Sequence, residues 1–296
     1  MAEPIGIIAG SGQLPRLTAR GMRAAGHSVV IAGMAGQYED QLPGESDDFR
    51  KVGVLRVGEW ARKLRRMGAS KAVMVGGVDK AALVYMPFWK RVLVMRPDWT
   101  TGRLWYRILR HDKRSQTLLT AVAEELRKAG IELMDSTHYI PEHLADVGVM
   151  TTRKPTQTQQ EDITLGWPIL MNMNDMEIGQ AIAVRGHDVI AVEAIEGTDA
   201  MIQRTGELVG GQSRKEDGGW TLLKGAGPKK DLRFDVPTIG LQTIENLKAA
   251  GAGCLAVDAG RVIFIDKPEV LAAADDAGIT VVGVQEHVSQ GSDGST

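Results

Sequence analysis

Gly6-Ile7-Ile8-Ala9-Gly10-Ser11-Gly12-Gln13-Leu14-Pro15 carries a short apolar strand into a Gly-x-Gly turn and on into a helix start. This arrangement lets backbone N–H groups approach a phosphate at the helix N-terminus. A dinucleotide fingerprint needs a third glycine and an acid about 20 residues further on to hold the ribose. Here Pro15 stands in place of the third glycine, and the second strand ends Ile31-Ala32-Gly33 with no acid. A nicotinamide cofactor is therefore not expected. Two readings stay open, a tight strand–helix turn and a phosphate or ribose contact. Nor is Ser11 a nucleophile elbow, because Ala9 and Gln13 occupy the positions where Gly-x-Ser-x-Gly needs glycine. A second glycine turn, Gly76-Gly77-Val78-Asp79-Lys80, follows the apolar run 72–75. Both turns would lie at carboxyl ends of parallel strands, where ligands settle in such sheets.

The fold follows from what surrounds that turn. Strands at 5–9, 28–32, 72–75 and 131–134 alternate with helices at 14–25, 59–67 and 117–129. Continuous apolar strands between amphipathic helices imply a parallel sheet covered on both faces, so residues 1–150 read as a Rossmann-like domain. The polar run 151–160 has no periodicity and reads as a linker. Beyond it, strands at 180–184 and 189–192 are joined by Arg185-Gly186-His187-Asp188, a hairpin. A strand at 220–223, a helix at 243–250, strands at 255–257 and 262–265, a helix at 269–274 and a strand at 280–284 complete residues 161–288 as a mixed α/β domain. The Gly/Ser-rich tail 289–296 reads as disordered.

Composition narrows the class. The net charge of −2 argues against a general nucleic-acid binder. Cys254 is the single cysteine, which excludes an internal disulfide and a cysteine metal cage and fits a reducing cytosol. It reads as a small buried hydrophobe, and Met171, Met173 and Met176 as core or interface filler. The start lacks the charge and apolar core of a signal peptide, and no run approaches the ~18 apolar residues of a membrane span. The six histidines show no metal-binding spacing. Between residues 89 and 114, Trp89, Trp99, Trp105 and Tyr106 lie among Lys90, Arg91, Arg96, Arg103, Arg107, Arg110, Lys113 and Arg114. That mixture suits an anionic membrane surface or a phosphorylated amphiphile, less well single-stranded nucleic acid given the overall acidity, or else a solvated helix face with its tryptophans turned inward.

Two acidic clusters follow. In Ala191-Val192-Glu193-Ala194-Ile195-Glu196-Gly197-Thr198-Asp199, a strand end delivers Glu193 and Glu196 to a loop, Thr198 is expected to cap the next helix, and Arg204 follows. In Asp231-Leu232-Arg233-Phe234-Asp235, an extended chain would set Asp231, Arg233 and Asp235 on one face, able to hold a divalent metal and a phosphate together. A helix cap and a surface ion-pair ladder are the structural readings of the same residues.

These motifs carry a resemblance. Residues 6–15, Gly-Gly-Val-Asp-Lys at 76–80, Gly-Gln-Ala-Ile-Ala-Val at 179–184, the run 191–204 and Asp-Leu-Arg-Phe-Asp-Val-Pro-Thr-Ile-Gly at 231–240 resemble, in order, the UDP-2,3-diacylglucosamine pyrophosphatase family of lipid A biosynthesis, of the type that is not calcineurin-like. The resemblance implies a Rossmann-like N-terminal domain and a C-terminal catalytic domain with the ligand cleft between them. It implies hydrolysis of UDP-2,3-diacylglucosamine to UMP and 2,3-diacylglucosamine 1-phosphate (lipid X), dependent on Mg²⁺ or Mn²⁺. It further implies a cytoplasmic enzyme in peripheral contact with the inner membrane, with a homodimer as one option. Asp231 is the first expected metal ligand, with Asp199 and Asp235 beside it. Glu193 or Glu196 would orient or deprotonate water, and Arg204 and Arg233 would neutralise phosphoryl charge. Gly10, Ser11, Gly12, Gln13, Gly76, Gly77, Asp79, Lys80, Thr198 and Thr238 complete the expected substrate contacts. Two stretches depart from the family's usual pattern: Gly227-Pro228-Lys229-Lys230-Asp231 replaces Lys-Pro-x-Gln-Asp, and Arg110-His111-Asp112-Lys113-Arg114 stands where Gly-Asp-Asp is common. They keep open a non-hydrolytic UDP-sugar or lipid-phosphate binding protein on the same fold.

Overall fold

The computed structural model describes residues 3–78, 96–109, 115–210, 218–227, 230–234 and 236–285. The tail 289–296, the residues Asp79, Lys80 and Asp235, and Trp89, Lys90, Arg91, Arg110, Lys113 and Arg114 of the basic run lie outside them. The chain divides into two compact units, residues 1–141 with 231–236, and residues 142–230 with 237–296. The short segment that carries Asp231 and Arg233 thus belongs with the N-terminal unit, although it follows most of the C-terminal half in sequence.

The first unit is built on five parallel strands, β1 Ile5–Ala9, β2 Val29–Met34, β3 Asp48–Val52, β4 Lys71–Val75 and β5 Glu132–Leu133, in the order β3-β2-β1-β4-β5. Alternation along β1 feeds two cores. Ile5, Ile7 and Ala9 pack with Ala19 and Met22 of α1 (Leu14–Ala24), whereas Ile8 joins Trp60, Ala61 and Leu64 of α2 (Val57–Arg66) and Leu126. Helices therefore cover both faces, which is why the strands are continuously apolar. The exception is β3, Asp-Phe-Arg-Lys-Val, with no apolar run to announce it. It is an edge strand whose Arg50 and Lys51 face solvent. A short helix α3 (Trp99–Leu104), a π-helical turn at Trp105–Leu109 and α4 (Ser115–Lys128) complete the unit.

The second unit holds a six-stranded mixed sheet in the order β6-β13-β11-β9-β7-β8. Its strands are β6 Gly148–Val149, β7 Ala181–Arg185, β8 Asp188–Val192, β9 Trp220–Lys224, β11 Ala252–Asp258 and β13 Thr280–Val284, with β10 Thr238–Ile239 and β12 Ile263–Phe264 pairing separately. The central strands β9, β11 and β13 are parallel. The hairpin β7–β8 is antiparallel and adds through β7 to β9. Its turn closes through His187 at φ 70, as the Gly186-His187 pair anticipates. Helices α6 (Thr198–Val209), α7 (Leu241–Ala249) and α8 (Lys267–Asp276) lie in this unit.

The polar run expected as a linker ends inside a 19-residue helix, α5 (Gln157–Asp175). Thr156 Oγ1 accepts from Gln159 N at 3.2 Å and Gln159 Oε1 accepts from Thr156 N at 3.0 Å, a reciprocal capping box that starts the helix at an uncharged, unpatterned sequence. The apolar stripe begins later. Trp167, Leu170, Met171 and Met173 pack on Ile182, Val184, Leu223 and Ala256, while Met176 is exposed.

Cys254 lies fully buried in β11, and burial, with the charge of Asp162 adding, pushes its thiol up to about 12. At neutral pH the thiolate is scarce and unreachable. A thiol reagent should therefore leave the native protein unmodified and label Cys254 only in denaturant. Labelling of folded protein at the rate of a free cysteine would contradict the burial.

Candidate active site

Each unit gathers polar residues at the carboxyl edge of its sheet. In the first unit the strand order reverses between β1 and β4, and the two glycine turns sit at that switch point, where open α/β sheets hold their ligands. The turns are zipped together. Ser11 N donates to Gly77 O at 2.7 Å, Gly77 N returns a bond to Ser11 O at 3.1 Å, and Ser11 Oγ adds a third at 2.9 Å. A Cβ on Gly10 would stand 2.3 Å from Gly77 O, and one on Gly76, at φ +87, 2.7 Å from Ser11 O. Close backbone approach explains both glycines without a ligand. Gly12 differs: a Cβ there would meet open space, and it is the backbone at φ +88 that calls for glycine. The N–H groups of Ser11 and Gly77 are spent on each other, so the face left for a ligand is Gly12, Gln13 and the first turn of α1.

Asp231 and Arg233 belong to this unit as well. Ser136, just past β5, anchors their segment by donating N–H and Oγ–H to Leu232 O at 3.3 and 2.8 Å, and Phe234 enters the core beside Val122 and Leu126. The chain here coils into a turn. Asp231 and Arg233 therefore do not lie in the extended chain anticipated for them, and Asp235 lies outside the described residues. Asp231 Oδ1 accepts from Arg233 N at 3.0 Å, and the Arg233 guanidinium grips both carboxylate oxygens. Burial works to raise the Asp231 carboxyl, but the hydrogen bonds and charge of Arg233 outweigh it and hold it below the usual carboxylate range. Asp231 is ionised at neutral pH and partly open to solvent.

In the second unit, β8, β9 and β11 end, and β7 begins, on one edge. That edge collects Glu193, Lys224, Asp258 and Gln180. Glu193 is buried with both oxygens engaged. Oε2 accepts from Gln180 N at 3.2 Å and Oε1 from Thr198 Oγ1 at 3.0 Å. Lys224, equally buried, donates to Thr198 Oγ1 and to Thr238 O, each at 3.1 Å. Thr198 therefore bridges an acid and a base. It does not cap the helix as expected; Gly197 occupies the cap position and α6 begins at Thr198 itself. Gly179 is dictated by the same cluster, since a Cβ there would fall 2.0 Å from Glu193 O. Farther out, Glu196 pairs with Arg204 at 2.7 Å, and Asp199 accepts from Asn246 Nδ2 at 3.0 Å. Backbone hydrogen bonding and Arg204 lower the Glu196 carboxyl, which makes it a weak proton acceptor.

Asp199 and Asp231 fall in different units. Among the described residues no group of three or more His, Cys, Asp and Glu is gathered for a metal. A Mg²⁺ ion that takes one or two carboxylates with phosphate oxygens and water needs no such cage, and the ionised Asp231 has the chemistry for it. Three residues of the second-unit edge, Lys224, Asp258 and Arg261, escape a reading of motifs, and Gln180 falls within the run 179–184 without being singled out. Lys224 closes an apolar strand just before Gly225-Ala226-Gly227-Pro228, and a lysine at that strand end was the available signal. Asp258 and Arg261 gave none. Lys230 Nζ donates to Gln180 Oε1 at 3.0 Å, and Arg261 donates to Gly227 O and Lys230 O at 2.7 and 3.0 Å.

Comparison with known proteins covers both units. The LpxI N-terminal domain family matches residues 4–143 and the LpxI C-terminal domain family residues 146–282. A UDP-2,3-diacylglucosamine pyrophosphatase LpxI from Caulobacter vibrioides is 30% identical over 286 residues, 95% of this chain and 97% of its own. Among solved structures, a nucleoside-diphosphate-sugar epimerase from Pseudomonas aeruginosa is 18% identical, covering 62% of this chain and 63% of its own, at a TM-score of 0.26. An N5-carboxyaminoimidazole synthetase from Staphylococcus aureus is 14% identical, covering 66% and 42%, at 0.25. Likeness that low carries no argument here.

Proposed function

The chain belongs to the LpxI family, and from that premise we propose that it hydrolyses the pyrophosphate of UDP-2,3-diacylglucosamine to UMP and lipid X, in the cytoplasm, as a step of lipid A biosynthesis. The observation that carries this is the paired family match across both units, with a named pyrophosphatase aligned over nearly the full length of each chain. The geometry supports it. Asp231 presents an ionised, partly exposed carboxylate at the carboxyl edge of the first sheet, as a ligand of Mg²⁺ or Mn²⁺ must. Such an ion, when bound, neutralises phosphate charge and activates water. Arg233 holds Asp231 in one orientation and supplies positive charge beside it. The open face at Gly12 and Gln13 can receive a phosphate or ribose. Asp231 and Glu196, both lowered, act as charges and not as the base; the proton of the attacking water leaves by another group or to solvent.

The test is release of UMP from UDP-2,3-diacylglucosamine by the full-length protein, with Mg²⁺ or Mn²⁺ and with a chelator. Turnover should depend on the ion. Tight UDP-sugar binding without UMP release under either ion would replace the hydrolase by a binding protein, and turnover undiminished by chelation would remove the metal.

A further inference from the structure

Every exposed tryptophan, tyrosine or phenylalanine among the described residues lies within eight positions of one another, in α3 and the π-helical turn that follows. Trp99 is 86% exposed, Trp105 57% and Tyr106 65%. Full exposure of such rings is costly, and elsewhere in the described chain tryptophan is buried, as at Trp60, Trp167 and Trp220. The segment is nevertheless firmly seated. Leu104 is buried and Ile108 packs against the core of the first unit. Asp98 accepts from Thr101 N and from Glu59 N at 2.9 and 3.0 Å, which ties the start of α3 to α2. Arg103 pairs with Glu125 of α4. The rings therefore point outward from an anchored helix. Asp98 and Glu125 are engaged with the chain itself, while Arg96 and Arg107 are exposed beside the rings.

The geometry points to this face as a docking surface for an anionic lipid bilayer. Indole and phenol rings sit at the headgroup boundary, apolar body inward and polar tip in water. Guanidinium groups alongside them meet anionic headgroups. A helix lying in the interface needs only its outer side apolar, which is what an inward Leu104 and Ile108 and an outward Trp99 and Tyr106 provide. No helix among the described residues is long and apolar enough to cross a membrane, so contact through this face would be with the surface alone. The inference uses nothing of the hydrolytic reading and stands or falls apart from it.

The experiment is co-sedimentation of the full-length protein with vesicles of phosphatidylcholine alone and with about one-third phosphatidylglycerol. Binding to the anionic vesicles, weakened by salt, is expected. It should fall at least tenfold in a Trp99→Ser/Tyr106→Ser variant, and an Arg96→Glu/Arg107→Glu variant should lose the preference for anionic lipid. The melting temperature, measured beside it, should be unchanged in both, which shows that they fold. Absence of vesicle binding, equal binding by the variants, or no preference for the anionic lipid would each overturn the proposal. So would self-association that the Trp99→Ser/Tyr106→Ser variant abolishes without any vesicle binding, which would give the face to a second copy.

Discussion

Replacing Asp231 by alanine should lower UMP release by at least about 100-fold while the protein stays folded, the scale expected when one charge that acts on a phosphoryl transition state is removed. The two effects separate because of where the side chain sits. Its partner Arg233 is partly exposed, so an orphaned guanidinium is rehydrated, and loss of this half-exposed ion pair costs on the order of 1 kcal/mol, the upper end of the range for surface pairs. The anchor of the turn, Ser136 to Leu232 O, does not involve the carboxylate. Asp231→Asn sharpens the test: the amide oxygen can still accept from Arg233 N, so the turn survives, but the negative charge is gone. Activity within threefold of wild type in Asp231→Asn would end the assignment of Asp231 as a metal ligand. The pH dependence has a definite sign. The folded carboxyl is lowered, so whatever the pair adds to stability is present above the ordinary carboxylate pKa and is lost as pH falls through the folded value. Acid should weaken the variant less than the wild type.

How much of this is legible in the sequence depends on what each residue packs against. The first strand and helix are, because Ile5–Ala9 is apolar on both faces of a covered sheet and Gly26 marks the helix end at φ +84. Edge strand β3 is hidden because three of its five side chains are charged and nothing covers them. Helix α5 is hidden because its start is fixed by a capping box between Thr156 and Gln159, a two-residue signal inside an otherwise patternless run. The glycine turns were legible as turns; that they bind one another was not, since the partner of Ser11 lies 66 residues away. The same limit governs the acids. Spacing places Glu193 and Glu196 on one loop ahead of Asp199, but not that Glu193 turns inward to Thr198 while Glu196 turns outward to Arg204. Asp231 carries its chemistry in a unit whose other residues lie almost a hundred positions earlier, and no local pattern reports that.

Glu193→Ala should cost about 2–4 kcal/mol of stability, the penalty of leaving two buried donors without their acceptor. Glu193 and Lys224 are each 5% exposed, and Thr198 joins them by accepting from the ammonium and donating to the carboxylate. Truncating the acid strands the Gln180 N–H and the Thr198 hydroxyl, the same hydroxyl that accepts from the Lys224 ammonium. For a unit of this size the loss corresponds to a melting temperature lower by roughly 10 °C. The direction of the double substitution separates electrostatics from packing. Glu193→Ala with Lys224→Met removes both charges, so it should be less damaging than the sum of the two single changes, with a coupling of about 1–3 kcal/mol read from the thermodynamic cycle. Strict additivity, or a Glu193→Ala protein that melts with the wild type, would show that acid and base at this sheet edge do not depend on each other. If they do, then Gly179, Thr198 and the first turn of α6 are held in place by that dependence, and the loop carrying Glu196 inherits its geometry from that buried cluster.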